Sequence, residues 1–267
     1  MTTCHYPQKS LGQSFLVDSR VQQRIVKACH LRSSDVVVEI GPGKAALTRR
    51  MLPLVKKIIA IEKDRRLAAW LKEEFPDPHL EIIQGDFLKW DMSFLPQGTI
   101  VVGNIPYYIS TPIIEKLLAH KDKIRQVFLT VQLEFGKRLA AQAGGKDYGS
   151  LSCFVQYYAE VEILFKISRS CFNPKPKIDS CFVSLTMKST PGRAHNEPQL
   201  FHLIQTAFTK RRKTIVNALE TIVGKADLRS LLEKLGIDPK SRPEELNLQN
   251  YIDIVNALGN NQGIDTE

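Results

Sequence analysis

Short apolar runs alternate along the chain with segments whose apolar residues recur at helical spacing. Five of the runs predict buried strands: Val36–Ile40, Lys56–Ile61, Leu80–Ile83, Ile100–Val102 and Gln126–Val131. A helical segment follows four of these runs, with apolar residues three or four positions apart, and the third run ends in Gly85-Asp86-Phe87. Strands that alternate with helices in this way indicate a parallel, doubly wound α/β sheet.

Two of the helices carry start signals. Asp18 predicts an N-cap for a helix with Val21, Ile25, Ala28 and Cys29 on one face. Thr111-Pro112 predicts the start of the helix after the fourth strand, because proline is favoured at the first helical position.

The pattern changes in the later part of the chain. Val161–Ile167 predicts a sixth strand, and Cys181–Met187 alternates like a seventh strand that returns antiparallel to the sixth. After a polar linker at 189–198 the apolar spacing is helical throughout, including a predicted helix over Thr214–Val223. We therefore predict two domains, 1–188 with a seven-stranded α/β sheet and 189–267 with helices alone.

The stretch that closes the fourth strand carries unusual chemistry. Asn104 offers an amide oxygen that accepts and a nitrogen that donates, and Pro106 lacks an N–H. Tyr107 adds a flat ring on which a base can lie. Acceptors beside a stacking ring suit an amino nitrogen on a planar group, such as adenine N6. The lone pair of that nitrogen is delocalised into the ring and is a poor nucleophile. Two acceptors that hold the amino hydrogens favour a tetrahedral nitrogen and expose the lone pair for attack. The same residues also fit a plain strand followed by a proline turn.

The turn after the first predicted strand favours a nucleotide-like cofactor. Gly41-Pro42-Gly43-Lys44-Ala45-Ala46 fits G-x-G-x-x-A, and Glu62 follows 21 residues after Gly41 at the next strand end. That pattern alone permits NAD or FAD. S-adenosylmethionine is favoured because Glu39 precedes the glycines, Asp86 ends the third strand, and the fourth strand carries acceptors and an aromatic ring in place of hydride-transfer groups.

Composition narrows the class of partner. The net charge is +9, yet residues 189–267 hold ten basic and ten acidic side chains, so the whole surplus falls in residues 1–188. Because the basic half also carries the predicted site, the charge favours a polyanionic binding partner whose phosphates it would neutralise. The alternative is that the basic surface only keeps the protein soluble.

The cysteines, the histidines and the lengths of the apolar runs indicate the cellular compartment and bear on metal and membrane binding. The five cysteines show no C-x-x-C pair, which favours free thiols in a reducing cytoplasm, and the histidines show no metal-ligand spacing. No apolar run has the length of a signal or membrane-spanning segment.

Several motifs occur in a fixed order along the chain. They are Gln13-Ser14-Phe15-Leu16, Glu39-Ile40-Gly41-Pro42-Gly43, Asn104-Ile105-Pro106-Tyr107, Lys146-Asp147-Tyr148-Gly149-Ser150-Leu151-Ser152 and Phe172-Asn173-Pro174-Lys175-Pro176. The ordered set resembles the KsgA-type ribosomal RNA adenine dimethyltransferases, over nearly the whole chain from Lys9 to about Leu258. Ala207–Ile215 and Arg242–Leu246 resemble this type more than the related large-subunit RNA methylases that confer macrolide resistance.

The resemblance implies a Rossmann-like S-adenosylmethionine-dependent methyltransferase domain and a small helical carboxyl-terminal domain. It implies dimethylation of N6 on two adjacent adenosines in a hairpin near the 3′ end of small-subunit (16S) ribosomal RNA, coupled to small-subunit biogenesis in the cytoplasm. The implied partner is this RNA in the assembling 30S subunit, with no membrane and no metal, and we expect a monomer.

The resemblance also assigns roles to residues. The cofactor would contact Ser14, Leu16, Gly41, Glu62, Asp86 and Asn104. The target N6 would be held by Asn104 and by the carbonyls of Ile105 and Pro106, with Tyr107 and Phe172 stacked on the base. The family usually has asparagine where this chain has Ser14, which shortens the side chain and removes an amide donor. Phe172 also fits a core position beneath the proline loop.

Lys210, Arg211 and Arg212 would contact RNA phosphates, although the same cluster fits a solvated helix start. Two other functions remain open from the residues alone. One is methylation of a glutamine amide in a protein, and the other is RNA binding during assembly without chemistry.

Overall fold

The computed structural model describes residues 12–190 and 192–261. By backbone contacts the chain divides into two compact units. The first comprises Met1–Gly136 and Glu160–Met187, and the second comprises Lys137–Ala159 and Lys188–Glu267. Residues 7–11 of the polar segment before the first helix, and Cys4, lie outside the described residues.

Nine strands are formed in the described ranges. They are β1 (Phe15–Leu16), β2 (Val36–Ile40), β3 (Lys57–Glu62), β4 (Leu80–Gln84), β5 (Thr99–Asn104), β6 (Ile124–Gln132), β7 (Ala159–Ile167), β8 (Phe172–Asn173) and β9 (Ser180–Met187). Seven of them form one sheet in the order β4-β3-β2-β5-β6-β9-β7, and β1 pairs antiparallel with β8. The strands β2 to β6 pair in parallel, whereas β9 runs antiparallel to β6. The predicted α/β sheet of seven strands with an antiparallel last strand is confirmed, and β9 lies between β6 and β7.

The described helices follow the predicted alternation. They are α1 (Ser19–Ala28), α2 (Thr48–Met51), α3 (Arg65–Glu74), α4 (Ser110–Ala119), α5 (Leu133–Ala140), α6 (Ser150–Tyr158), α7 (Glu197–Thr209), α8 (Ile215–Ala218), α9 (Lys225–Lys234) and α10 (Leu248–Asn261). Asp18 is the N-cap of α1, as predicted, since its side chain accepts from the backbone N–H groups of Arg20 and Val21.

Two helix boundaries differ from the sequence prediction. The chain after Pro106 first forms a 3₁₀ turn over Tyr107–Ile109, and α4 begins directly after it at Ser110. Thr111 is therefore inside the helix and not its cap. Pro112 is tolerated there because the first-turn N–H groups have no intrahelical partner. The helix predicted over Thr214–Val223 is limited to the four residues of α8, after which the chain turns.

The sheet interior explains why the strands are so apolar. Val37, Val38, Ile100 and Val101 on the two central strands are completely buried. Strands covered on both faces contain near-continuous apolar residues. The register places Ile40 beside Gly103, where a Cβ on Gly103 would lie 3.1 Å from the Ile40 side chain. This close packing sets the ends of β2 and β5 side by side.

The second unit contains the helices α6 to α10. Its aromatic cluster includes Tyr157, Tyr158 and Phe201, whose ring centroids lie 4.8–5.8 Å apart. The contacts group residues 137–159 with the helices after residue 188. The division of function between 1–188 and 189–267 stays a prediction.

Candidate active site

A cavity opens where the parallel strands β2, β3, β4 and β5 end. Its lining residues all lie between residues 12 and 113, within the first unit. Ser14, Leu16, Gly41, Glu62, Asp86 and Asn104 line it, together with Ile105, Pro106 and Tyr107. The carboxyl edge of a parallel sheet is where ligands bind in open α/β folds.

The Glu62 side chain orders the glycine turn by hydrogen bonds. Gly41 and Gly43 have φ angles of +66° and +57°, which side chains rarely adopt. The Gly43 N–H donates to Glu62 Oε2 at 3.0 Å, and the Asp64 N–H donates to Oε1 at 2.8 Å. Glu62 is 5% exposed, and burial raises the pKa of its carboxyl. Its carboxylate therefore orders the turn from the neighbouring strand and still has lone pairs for a ligand hydroxyl.

Glu39 lies at the end of β2 with almost no contact with water. Its Oε2 accepts from Thr48 Oγ1 at 2.7 Å, and the residue lines the cavity together with Gly41 and Gly43. Burial raises the pKa of Glu39 from 4.5 to about 7, against the smaller lowering by the Thr48 hydrogen bond. A buried carboxylate whose hydrogen-bond partner is neutral can bind a cation. An ammonium group would provide the positive charge that the Thr48 hydroxyl lacks.

Asp86 follows β4 and caps the next turn. Its Oδ1 accepts from the Leu88 N–H at 3.0 Å, and its Oδ2 pairs with Lys63 Nζ at 2.8 Å. The Lys63 hydrogen bond lowers the pKa of Asp86. Asp86 is therefore an ionised acceptor at the rim of the cavity, with Phe87 beside it in the lining.

Asn104 is oriented by the segment that precedes α1. Its Nδ2 donates to the backbone carbonyl of Ser14 at 2.9 Å, and its Oδ1 makes no hydrogen bond to a described residue. The Ser14 hydroxyl donates to the Pro174 carbonyl at 2.6 Å. One of the two N–H donors of the Asn104 amide is thus occupied, and no described residue donates to the amide oxygen. Ser14 contributes a backbone carbonyl that positions Asn104, while its hydroxyl holds the proline loop.

The residues after Asn104 complete the acceptor group. The Pro106 carbonyl accepts from the Ile109 N–H at 3.2 Å, which leaves it one lone pair. Tyr107 lines the cavity, and its hydroxyl lies 2.6 Å from Ser180 Oγ. Burial raises the pKa of Tyr107, so the ring is a neutral phenol at physiological pH.

Phe172 lies in the core. It is 3% exposed, pairs across β1 and β8 with Leu16, and belongs to the same hydrophobic core cluster as Leu16. This burial favours the core position over the stacking role, because a base can reach the ring only if the segment moves. Leu16, also buried, still borders the cavity.

The basic residues Lys210, Arg211 and Arg212 lie in a turn that follows α7 and not at a helix start. Lys210 is the C-cap of α7 and pairs with Glu220 at 3.2 Å. Arg211 pairs with Glu244 at 3.0 Å and donates to the Gly145 carbonyl. Both contacts of Arg211 lie within the second unit. Of the three basic residues, Arg212 forms no ion pair with a described residue.

Two residues of the site were not predicted from the sequence: Tyr108 lines the cavity, and Thr48 contacts the lining residue Glu39. Thr48 orders Glu39, but a threonine nine residues beyond an acid carries no local signal. Tyr108 is 61% exposed at the cavity, and the doubled tyrosine after Pro106 was the available sign. In the described ranges, no group of three His, Cys, Asp or Glu side chains is arranged to hold a metal ion. None of the described helices is long and apolar enough to cross a membrane.

These residues fit S-adenosylmethionine. Gly41 and Gly85 leave open space where a Cβ would stand, so a ligand can approach the backbone at both strand ends. Three carboxylates at successive strand ends match an ammonium, a ribose and an adenine amino group. The sheet order and this cavity define a Rossmann-like, S-adenosylmethionine-dependent methyltransferase.

Comparison with known proteins identifies the family. The sequence model for "Ribosomal RNA adenine dimethylase" matches residues 5–260. The chain therefore belongs to the ribosomal RNA adenine dimethylase family, as the sequence resemblance predicted. A relative from Moorella thermoacetica named "Ribosomal RNA small subunit methyltransferase A" is 40% identical over 94% of this chain and 92% of its own length. The relative of the same name from Clostridium botulinum is 38% identical over 91% of this chain and 90% of its own length.

Solved structures agree with this placement. A dimethyladenosine transferase from Plasmodium falciparum has a TM-score of 0.80 and 29% identity, covering 94% of this chain and 98% of that one. The 23S rRNA methyltransferase ErmE has a TM-score of 0.75 and 26% identity, covering 92% of this chain and 99% of that one. A dimethyladenosine transferase and a 23S rRNA methyltransferase thus share this architecture.

Proposed function

We propose that this chain transfers methyl groups from S-adenosylmethionine to N6 of two adjacent adenosines in a hairpin near the 3′ end of small-subunit ribosomal RNA. The observation that carries the proposal is that the Asn104–Tyr107 loop and the strand-end carboxylates open into one cavity. The relatives with the highest identities quoted above are named for the small subunit, which favours that RNA over the large-subunit RNA.

The loop after β5 prepares the target amine. Asn104 Oδ1 and the Ile105 and Pro106 carbonyls accept the two N6 hydrogens, which favours a tetrahedral nitrogen with an exposed lone pair. Tyr107 holds the base by its ring face, since a base acted on by such an enzyme leaves its stack. Each transfer would form one N–C bond as the bond between the methyl carbon and the donor sulfur breaks, with that electron pair left on sulfur, and N6 would release one proton to water. The nitrogen becomes acidic as it gains the methyl group, so orientation and electrostatics suffice without a strong base.

The cofactor is held by the strand ends. Glu39 would hold the ammonium group, Glu62 the ribose hydroxyls, and Asp86 the adenine amino group, with Gly41 and Leu16 against the ligand. When bound, S-adenosylmethionine supplies a methyl carbon that its sulfonium makes electrophilic. Glu62 also holds the Gly43 amide, so it orders the turn and the ligand together.

The partner would be the assembling 30S subunit in the cytoplasm, where the RNA is made into ribosomes. We propose that the protein acts as a monomer. Light scattering on the purified protein measures its oligomeric state, and a stable dimer would contradict this part of the proposal.

The test is a transfer assay with small subunits that lack the modification. The purified chain is incubated with a labelled methyl donor, and the nucleosides are then digested and identified by mass spectrometry. N6,N6-dimethyladenosine is expected at two adjacent positions, and the Asn104→Ala variant is expected to form none. Label recovered in protein glutamine, or no methylated adenosine from the unmodified chain, would overturn the proposal.

A further inference from the structure

A second depression lies on the first unit beside the active-site cavity. We call it the basic groove. It is formed by the segment before α1, the exposed side of α1, and the turn and helix that follow the glycines. Its lining residues include Val17, Gln23, Lys27, His30, Lys44, Arg49, Arg50 and Leu54. Val17 and Leu54 are 54% and 44% exposed and place two apolar side chains on its rim.

The groove has one sign of charge. Lys27, Lys44, Arg49 and Arg50 line it, and no Asp or Glu is among its described lining residues. Arg49 lies 3.8 Å from Glu74, with both side chains about half exposed, and a pair of this kind neutralises little. Lys27, Lys44 and Arg50 form no ion pair with a described residue. This surface therefore accounts for part of the charge surplus that the sequence places in residues 1–188.

The groove is built on ordered contacts. Arg50 Nε donates to Gln22 Oε1 at 3.1 Å, and Gln22 Nε2 donates to the Leu16 carbonyl at 2.8 Å. Arg50 also donates to Ser19 Oγ at 2.8 Å. These partners are neutral, so they fix the position of the guanidinium and leave its charge uncompensated. A preformed cationic site loses less entropy on binding than one made of free side chains.

The groove and the active-site cavity share a wall. Phe15, Leu16, Lys44 and Ala46 line both. Lys44 Nζ lies 5.1 Å from the centre of the Phe15 ring, and a Cβ on Gly43 would lie 3.1 Å from the same ring. A strand whose base enters the cavity can continue across this wall into the groove.

We propose that the basic groove binds the sugar–phosphate backbone of the RNA strand that flanks the target adenosine. This inference rests on the proposed function and adds a substrate-binding surface to it. Phosphates would contact Arg50 together with Lys27, Lys44 and Arg49, and the apolar rim of Val17 and Leu54 would cover ribose. Contacts of this kind position the strand without reading its sequence. They keep the target nucleotide at the cavity while its base is unstacked.

The experiment compares two double variants. Lys27→Gln with Arg49→Gln removes two groove charges that are not part of the cavity. Lys56→Gln with Lys72→Gln removes two exposed charges of the same unit that do not line the groove. Binding to unmodified small subunits and to a naked hairpin RNA is measured as a function of salt, with S-adenosylmethionine affinity measured by calorimetry.

The groove variant should lose roughly tenfold or more in affinity for both RNA forms at low salt. Its log–log salt slope should fall by about 1.5, close to two phosphate contacts. S-adenosylmethionine affinity should be unchanged, which shows that the variant is folded, and the control should behave as the unmodified chain does. Equal losses of RNA affinity in the two double variants, or no loss in either, would overturn the proposal that the groove binds RNA. A loss for whole subunits with none for naked RNA would assign the groove to a ribosomal protein instead. If the unmodified chain binds RNA but forms no dimethyladenosine, the proposed function fails and the groove measurement still stands.

Discussion

Replacing Glu39 with glutamine should make the ligand-free protein more stable at pH 8 while weakening its affinity for S-adenosylmethionine. Glu39 is 2% exposed, and burial raises its pKa from 4.5 to about 7. The folded state therefore holds the proton more tightly than the unfolded state does. Stability contributed by this group is fully present below pH 4.5, is lost as the pH rises towards 7, and stays lost above it.

The size of the effect follows from the two pKa values. Their difference corresponds to about 3 kcal/mol at pH 8 and about 1 kcal/mol at pH 5. Glutamine keeps an oxygen that can accept from Thr48 and carries no charge to desolvate. The variant should therefore gain up to about these amounts relative to the original protein, which makes them upper bounds. Its affinity for the cofactor should nevertheless fall at least tenfold, because the ammonium loses its counter-charge.

The assay is urea denaturation at pH 5 and pH 8 without ligand, with calorimetry at pH 8. Glu81→Gln is the matched control, since it makes the same chemical change at an exposed pair with Lys57 and should alter stability by less than about 1 kcal/mol. A Glu39→Gln protein whose stability advantage does not grow between pH 5 and pH 8 would refute the desolvation argument. Unchanged cofactor affinity would refute the ammonium contact.

Three further changes test the remaining roles. Tyr107→Ala should abolish methyl transfer and leave cofactor affinity nearly unchanged in calorimetry, whereas Tyr107→Phe should keep most of the transfer; a large loss of cofactor binding in the alanine variant would contradict the stacking role. Glu62→Ala should weaken cofactor binding and cost about 1–3 kcal/mol of stability, because the Gly43 amide loses its acceptor; unaltered affinity would exclude the ribose contact. Lys210→Ala with Arg212→Ala should lower the salt slope of RNA binding by about 1.5, and an unchanged slope would show that this turn does not contact phosphates.

The strands and their polar ends were predictable because both signals are local. A buried parallel strand requires consecutive apolar residues, and the residue after it marks a sheet edge. Glu62 and Asp86 could be placed together at one edge for that reason. Helix starts were less predictable. Thr111 has the features of a cap, but the 3₁₀ turn before α4 moved the start to Ser110.

Contacts between distant segments were beyond the sequence. Phe172 fits either a stacking ring or a core residue, and its pairing with Leu16 in a two-stranded sheet places it in the core. The orientation of Asn104 depends on the carbonyl of Ser14, 90 residues earlier. The basic groove likewise needs α1 and the turn after the glycines to pack side by side before their cations form one surface.

By itself, the sequence determined the alternating α/β architecture, the family, and the acids and acceptors that meet at the sheet edge, because residue periodicity and strand ends specify these locally. Only the tertiary structure decided that the Asn104 amide nitrogen donates to Ser14 while no described residue donates to its oxygen, that Glu62 holds the glycine turn, and that Phe172 is buried. Those outcomes depend on hydrogen bonds and packing between segments far apart in the chain, and no local pattern records which segments become neighbours.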